Sequence, residues 1–303
     1  IPLMLFGIVK AISAEVLTWQ DCVNEARRNH PDLASAEERA RQAGFDVKIT
    51  QGGLLPQISG DASARKSGAE NQDSMQLYSY GFSARQLIYD GFKTSSEVSA
   101  ASESAKAAQY NYLVVSSNVR QSLRTAFAEL LRAQELVPIT ETIATRRKQN
   151  LELVRLRYKA GREHKGSLLT AEADFAQANY EVEQAKRNVA LAQRKLLKEL
   201  GREKFEVIEV KGDFEYSTKN RERPDFELIA DNTPLLKQIL ANKEAIRYNL
   251  KSAKSALYPQ IYANASTGAS AQDFPPDEND WSVGISLSVP IFEGGANKAR
   301  IKK

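Results

Sequence analysis

One offset constrains this chain more than any other feature. Asn29-His30-Pro31 returns as Asn232-Thr233-Pro234, 203 residues later. Leu54-Leu55-Pro56-Gln57-Ile58 returns as Leu257-Tyr258-Pro259-Gln260-Ile261, again after 203. Ala62-Ser63 matches Ala265-Ser266, Gly81-Phe82-Ser83 matches Gly284-Ile285-Ser286, and Ile88-Tyr89-Asp90-Gly91 matches Ile291-Phe292-Glu293-Gly294. The register holds without a gap over about 60 residues. Chance similarity drifts, so the chain carries a duplicated unit. The first unit continues for about 100 residues beyond Gly91, and the second stops about ten residues after Gly294. The expectation is one and a half copies, with the second copy's final helix pair missing.

Each unit opens with a helix. Leu33, Ala36, Ala40, Ala43 and Val47 step by three and four, and Leu236, Ile239, Ile246, Leu250, Ala253 and Leu257 fill the corresponding stripe, broken by Lys243. That spacing is a coiled-coil seam. Pro56 and Pro259 end the two helices, because proline cannot continue one. Extended segments follow. Tyr78, Tyr80, Phe82 and Ala84 alternate with Ser79, Gly81, Ser83 and Arg85. Trp281, Val283, Ile285, Leu287 and Val289 alternate with Ser282, Gly284, Ser286 and Ser288. One face is aromatic and aliphatic, the other small and polar. A soluble sheet turns such an apolar face inward; a transmembrane barrel turns it to lipid and its polar face to a wet lumen. Alternation alone does not separate the two. The loops 66–74 and 270–280 are polar and read as solvated hairpin connections.

From about Lys93 the pattern turns helical. Val98, Ala101, Ala105, Ala108, Tyr112, Val115, Val119, Ser122 and Ala126 form a stripe, flanked by Leu123, Phe127 and Leu130. No glycine occurs between Phe92 and Gly161, and Pro138 is the only breaker, predicting a kink. At 1.5 Å per residue such a helix reaches roughly 95–100 Å. A break at 158–167 precedes a second helix, with Leu168, Ala171, Phe175, Ala178, Val182, Ala185, Val189, Ala192 and Leu196 as its seam. Leu169, Ala173, Ala176 and Tyr180 offer a second stripe, as on a helix packed between two neighbours. Helices this long exclude most globular enzyme folds.

Composition narrows the rest. There are one cysteine and two histidines, so no disulfide and no His- or Cys-rich metal site is expected. Cys22 follows Trp19-Gln20-Asp21, which lacks the apolar run of a lipoprotein signal, and reads as a small core residue. With 42 basic and 38 acidic residues the surface is mixed, and nucleic acid is not an expected partner. No run of 18 apolar residues exists, which excludes a bundle of membrane-spanning helices but not short alternating strands. No nucleophile elbow and no phosphate-binding glycine loop is present; Gly52-Gly53 and Gly294-Gly295 read as backbone corners. Neither catalysis nor a cofactor is expected. The apolar run Leu3 to Val9, followed by Ala11-Ile12-Ser13-Ala14, reads as the end of an export signal.

Taken in order, these pieces resemble the TolC-like outer-membrane efflux protein family. The resemblance rests on Leu17-Thr18-Trp19-Gln20-Asp21, on Asn29-His30-Pro31, and on the Leu-Pro-Gln-Ile and Tyr-Pro-Gln-Ile starts of the strands. The corners Ile88-Tyr89-Asp90-Gly91 and Pro290-Ile291-Phe292-Glu293-Gly294-Gly295 match too, as does Arg157-Tyr158 through Gly161 with Leu168, Leu169 and Ala171. It covers the chain from about residue 15 to its end.

The resemblance implies an α+β membrane protein with a long helical coiled-coil barrel. Each subunit of a homotrimer would give four strands to a shared transmembrane β-barrel in the outer membrane. The implied organisation is a signal remnant at 1–14, then a first repeat at 15–220 with strands near 56–66 and 76–89 and helices near 93–158 and 167–200. A truncated second repeat at 221–303 would carry strands near 259–269 and 281–291. Tyr78, Tyr80, Phe82, Trp281, Val283 and Ile285 would face lipid; Ser79, Ser83, Arg85, Ser282, Ser286 and Ser288 would face the lumen. A periplasmic adaptor would dock at the tip through Arg157, Tyr158, Gly161, Arg162, Lys165, Ser167 and Leu168, and would couple the duct to an inner-membrane pump. Family members often carry an Asp near Ser167; here Gly166-Ser167 stand beside His164 and Lys165. The tip is basic, with Arg146, Arg147, Lys148, Arg155, Arg157, Lys159, Arg162 and Lys165 against Glu152 and Glu163. That reads either as a solvated helical end or as a surface for an acidic partner. The alternative for the whole chain is a soluble periplasmic coiled-coil scaffold.

Overall fold

Local capping sets where the helices begin. The Thr18 hydroxyl accepts from the Asp21 N–H at 3.3 Å, and the Asp21 carboxylate accepts from the Thr18 N–H at 3.0 Å. This reciprocal box holds the Asp21 carboxyl below the usual carboxylate range, through its hydrogen bonds with Thr18. The computed structural model describes residues 15–68, 75–212 and 225–302. The export-signal expectation at 1–14 lies outside them. In chain order the elements are β1 (Glu15–Leu17), α1 (Trp19–Asn29), α2 (Pro31–Gly52), β2 (Gln57–Ser67), β3 (Met75–Tyr89), α3 (Lys93–Lys159) and α4 (Lys165–Leu200). Then follow β4 (Ile208–Val210), α5 (Phe226–Asp231), α6 (Pro234–Ser255), β5 (Gln260–Ala271), β6 (Glu278–Ser288) and α7 (Ala296–Lys302).

The duplication is visible in the geometry. Adding 203 to both ends of α2 gives α6, and adding it to the first residue of α3 gives the first residue of α7. The hairpin register repeats as well: Gln57 faces Arg85 in the first copy, and Gln260 faces Ser288 in the second. Both corners after the hairpins use two consecutive left-handed residues, Gly91 and Phe92 (φ 69° and 64°), then Gly294 and Gly295 (φ 59° and 85°). In the first corner the Asp90 carboxylate caps α3, accepting from the N–H groups of Lys93 at 3.0 Å and Thr94 at 2.8 Å.

Two compact units are present. The first comprises residues 1–35 and 114–223. Its core joins Leu17, Cys22 and Ala26 to Leu123, Phe127 and Leu130 of α3, Leu196, Leu197 and Leu200 of α4, and Ile208 and Val210. Trp19 meets the Phe127 ring edge-on with centroids 5.7 Å apart. β1 and β4 pair in parallel, and side chains complete their ladder: Gln193 donates to the Ile208 carbonyl at 2.8 Å, and Gln134 accepts from the Val210 N–H at 3.1 Å. The α4 seam is the buried one, with Ala171, Ala178, Val182, Ala185, Ala192 and Leu196 inside. On α3 the expected stripe is corrected only at Ser122, which is exposed; Ala105, Val119 and Ala126 of that stripe are buried, and so are the flanking Leu123, Phe127 and Leu130. The α3 helix runs unbroken through Pro138.

The second unit comprises residues 36–113 and 224–303. Here the expected seam of α6 is corrected. Ile239, Ile246 and Leu250 are exposed, while Ala241, Ala245, Ser252 and Ser255 are buried. From this small stripe the Ser252 hydroxyl donates to Glu97 of α3 at 2.9 Å. Ile239, Ile246, Leu250 and Leu257 of the large apolar stripe thus stay exposed among the described residues.

Candidate functional site

Two places carry the residues singled out from the sequence: the four-stranded sheet of the second unit and the α3–α4 tip of the first. The sheet is antiparallel throughout, in the order β2-β3-β5-β6. Directly opposed residues in such a ladder share a face. Phe82 lies opposite Gly60 and Thr267, and Thr267 lies opposite Trp281. Tyr80 lies opposite Ala62 and Ala269; Val283 and Ile285 lie opposite Ala265 and Ala263. Tyr78, Tyr80, Phe82, Trp281, Val283 and Ile285 therefore share one face, with large residues on the returning strands and small ones between them. Trp281 is 79% exposed, Val283 75%, Ile285 78% and Phe82 64%.

The other face is a grid of hydroxyls. Ser59, Ser83, Ser266 and Ser282 form one row across all four strands. Hydroxyl pairs are 2.8 Å apart at Ser59–Ser83, 2.9 Å at Ser63–Ser79 and 2.8 Å at Ser266–Ser282, and Asn264 donates to Ser286 at 2.9 Å. Ser288 shares this face. Arg85 also lies on it, its guanidinium 3.8 Å from the centre of the Tyr262 ring. Tyr262 is an aromatic on the polar face that alternation did not single out. Its place follows from pairing with Ser286, which no single-strand pattern shows. Every residue of β2 and of β6 is exposed, so both edges of the sheet are open.

At the tip, Gly161 ends α3 with φ 70°. The Arg162 N–H reaches the Arg157 carbonyl at 2.9 Å and the Gly161 N–H reaches the Tyr158 carbonyl at 3.0 Å, closing the helix. Nothing lies within 4 Å of the place a Cβ would take on Gly161, so the glycine answers only to its backbone conformation. His164 then caps α4. Its Nδ1 accepts from the Ser167 N–H at 3.1 Å, and its Nε2 lies 3.1 Å from the Ser167 hydroxyl. An accepting Nδ1 leaves the proton on Nε2, so the imidazole donates to Ser167 rather than taking its proton. The Ser167 hydroxyl holds the Glu163 carboxyl below the usual range. This trio is a turn lock, not a nucleophile. Histidine is not an expected cap, so sequence reasoning placed no cap here. Leu168 is half-buried and begins the α4 seam, while Arg157, Tyr158, Arg162 and Lys165 are exposed.

The basic excess at the tip is smaller than the sequence suggested. Arg147 pairs with Asp174 at 3.1 Å and Arg155 with Glu172 at 3.1 Å, both across the hairpin. These acids come from α4 and were not in the window counted along α3. A second charged cluster, not singled out in the sequence, ties down the small β1–β4 sheet. Arg202 grips Glu25 with two nitrogens, at 2.5 and 2.8 Å, and adds Glu15 at 2.7 Å and Glu206 at 2.8 Å. Those carboxylates raise the guanidinium's affinity for its proton.

No helix among the described residues is long and apolar enough to cross a membrane. The family described as outer membrane efflux protein matches residues 22–202 and 226–303. The chain is 23% identical over 308 residues to the outer membrane efflux protein BepC of Brucella suis, spanning 96% of this chain and 66% of that protein. It is 24% identical over 328 residues to the outer membrane protein TolC of Vibrio cholerae, spanning 100% of this chain and 72% of the other. Among solved structures, CusC superposes with a TM-score of 0.83 at 18% identity, over 93% of this chain and 68% of that one. The chain thus spans about two thirds of the length of the relatives it matches.

Proposed function

Because this chain belongs to the outer membrane efflux protein family, an outer-membrane family, we propose that it supplies one share of a passive exit duct for efflux or secretion. The observation that carries this reading is the sheet: an apolar face left open on one side, a hydroxyl face on the other, and two unpaired edges. Four strands cannot close a barrel, and an open edge in lipid leaves backbone groups unsatisfied. Three copies in a ring would supply twelve strands and remove every edge.

In this arrangement Tyr78, Tyr80, Phe82, Trp281, Val283 and Ile285 face outer-membrane lipid. Ser79, Ser83, Arg85, Ser282, Ser286 and Ser288 line the lumen. The helices continue the duct through the periplasm, and the exposed stripe of Leu169 and Tyr180 on α4 meets a neighbouring helix. The tip residues Arg157, Tyr158, Gly161, Arg162, Lys165, Ser167 and Leu168 receive a periplasmic adaptor, which links the duct to an inner-membrane pump. Residues 15–220 are one repeat and 221–303 the start of the next. The duct performs no chemistry; the pump supplies the work.

Fractionation of the whole protein tests the reading. An outer-membrane location and a trimer after detergent extraction are expected. A monomer in the soluble periplasmic fraction would overturn the duct and favour a soluble scaffold.

A further inference from the structure

Two residues break the serine grid of the hydroxyl face together. Arg85 on β3 and Tyr262 on β5 are diagonal neighbours, because Arg85 lies opposite Asn264 and Tyr262 lies opposite Leu87. Their counterparts at the 203-residue offset are Ser288 and Ser59, both small hydroxyls. Each duplicated position therefore keeps serine once, and the two departures from serine touch each other. We propose that Arg85, held by Tyr262, gives the duct a preference for anionic groups, with three copies forming a guanidinium ring on the lumen wall. The proposal rests on the duct reading and adds the chemical class favoured at this level.

The geometry leaves the cation open to a ligand. Arg85 is exposed, and its guanidinium carbon lies 3.8 Å from the centre of the Tyr262 ring. At that separation the planar group rests on the ring face, a contact that holds it while its in-plane N–H donors stay free. Such a fork matches a carboxylate or a phosphate. The rest of its row is Gln57, Asn264 and Gly284, all uncharged. Nothing lies within 4 Å of a Cβ placed on Gly284, so no bulk crowds that end of the row.

The acidic residues of this face do not cancel the charge. Asp61 and Asp280 share one row with Gly81 and Gly268. That row is four residues from Arg85 along β3, about 13 Å at the rise of a strand. Screening at physiological ionic strength acts over about 8 Å. The carboxylates and the guanidinium are thus separate levels of the same wall. Rings of arginine or lysine are what anion-conducting pores place around their path.

Charged thiol reagents read the local preference. In the whole protein with Cys22→Ala, Ser83→Cys puts a thiol on the same face two residues from Arg85. Outer membranes are treated with a sulfonate-bearing or a trimethylammonium-bearing methanethiosulfonate, and the ratio of the two rates cancels the thiol's own reactivity. The ratio should favour the sulfonate and fall about fivefold when Arg85→Gln is added. Tyr262→Leu, which releases the guanidinium, should lower it too, and Tyr262→Phe should preserve it. Ser63→Cys, about 20 Å from Arg85 along the face, should not respond to Arg85→Gln. A ratio at position 83 that ignores Arg85→Gln overturns the proposal while leaving the duct reading intact. An equal fall at position 63 overturns a local ring, and a ratio unmoved by Tyr262→Leu overturns the holding role of Tyr262. Ile285→Cys tests the underlying reading: if it reacts in membranes as fast as Ser83→Cys, the hydroxyl face is not the wet one and the duct reading itself falls.

Discussion

Gly91 and Tyr258 meet where the first hairpin turns into its helix: a Cβ on Gly91 would lie 2.6 Å from the Tyr258 Cβ. Gly91 also has φ 69°. Its copy, Gly294, has φ 59° but nothing within 4 Å of a Cβ. The same substitution should therefore have two costs. Gly294→Ala pays only for the left-handed backbone, about 1–2 kcal/mol. Gly91→Ala adds a clash in a closed site, bringing the loss to about 3 kcal/mol or more. Thermal unfolding in detergent, followed by circular dichroism, should rank the two; equal melting temperatures would contradict the geometry.

That contrast shows what the sequence could disclose. The 203-residue offset gave the repeated order of helix, hairpin and helix, and strand alternation gave the two faces of β3 and β6. Family likeness and fold class were legible, because many weak motifs kept their spacing. The partner of each apolar stripe was not. Leu236, Ile239, Ile246 and Leu250 read as the buried seam of α6, yet the chain buries Ala241 and Ala245 instead. A periodic stripe says that a face wants a neighbour, not which neighbour takes it. β1 and β4 were invisible because three residues are too few for any period. Arg202 was silent because Glu25 lies 177 residues away.

The histidine cap at the tip predicts a conservative rescue. His164→Ala removes the acceptor for the Ser167 N–H and should cost about 1 kcal/mol. His164→Asp supplies a carboxylate at the same position and should recover that loss. Protease nicking within 160–166 is a local reporter: faster in the Ala variant, restored in the Asp variant. Equal rates in all three proteins would show that the cap does not hold the turn.

Opposite faces of one strand should respond oppositely to charge. Ile285→Arg places a cation on the apolar face, where it costs about 2–4 kcal/mol at the middle of a bilayer. Ser286→Arg, one residue on, points to the hydroxyl face and should be tolerated. The measurement is the amount of each variant folded in the outer membrane. Equal yields would argue against lipid on the Trp281 face.

Charge reversal at the tip separates structural from free cations. Arg147 and Arg155 are held by Asp174 and Glu172, so reversing them should loosen the hairpin. Among the described residues Arg162 and Lys165 are exposed and form no salt bridge, so Arg162→Glu with Lys165→Glu should leave the helices intact. If the tip attracts an acidic adaptor surface, this double variant should weaken adaptor capture and lower export. Unchanged capture and export would reduce the basic tip to a solvated helix end.

Cys22 sets a pH dependence with a definite sign. Its side chain is buried among Leu17, Leu123 and Leu196 in the first unit's core. That burial, with Glu25 and Asp21 nearby, pushes the thiol up to about 12. In the unfolded chain it titrates near its ordinary value of 9. Below that value both states keep the proton, and the thiol contributes no slope. Above it the unfolded chain releases the proton while the fold retains it, so stability falls as pH rises from about 9 towards 12. Cys22→Ala should cost about 1 kcal/mol of packing at neutral pH and abolish the alkaline slope that belongs to the thiol. Iodoacetamide should leave the native protein unlabelled at mildly alkaline pH and label it fully in concentrated urea. Rapid labelling of the native protein would mean that the core around Leu123 and Leu196 opens far more readily than its packing allows.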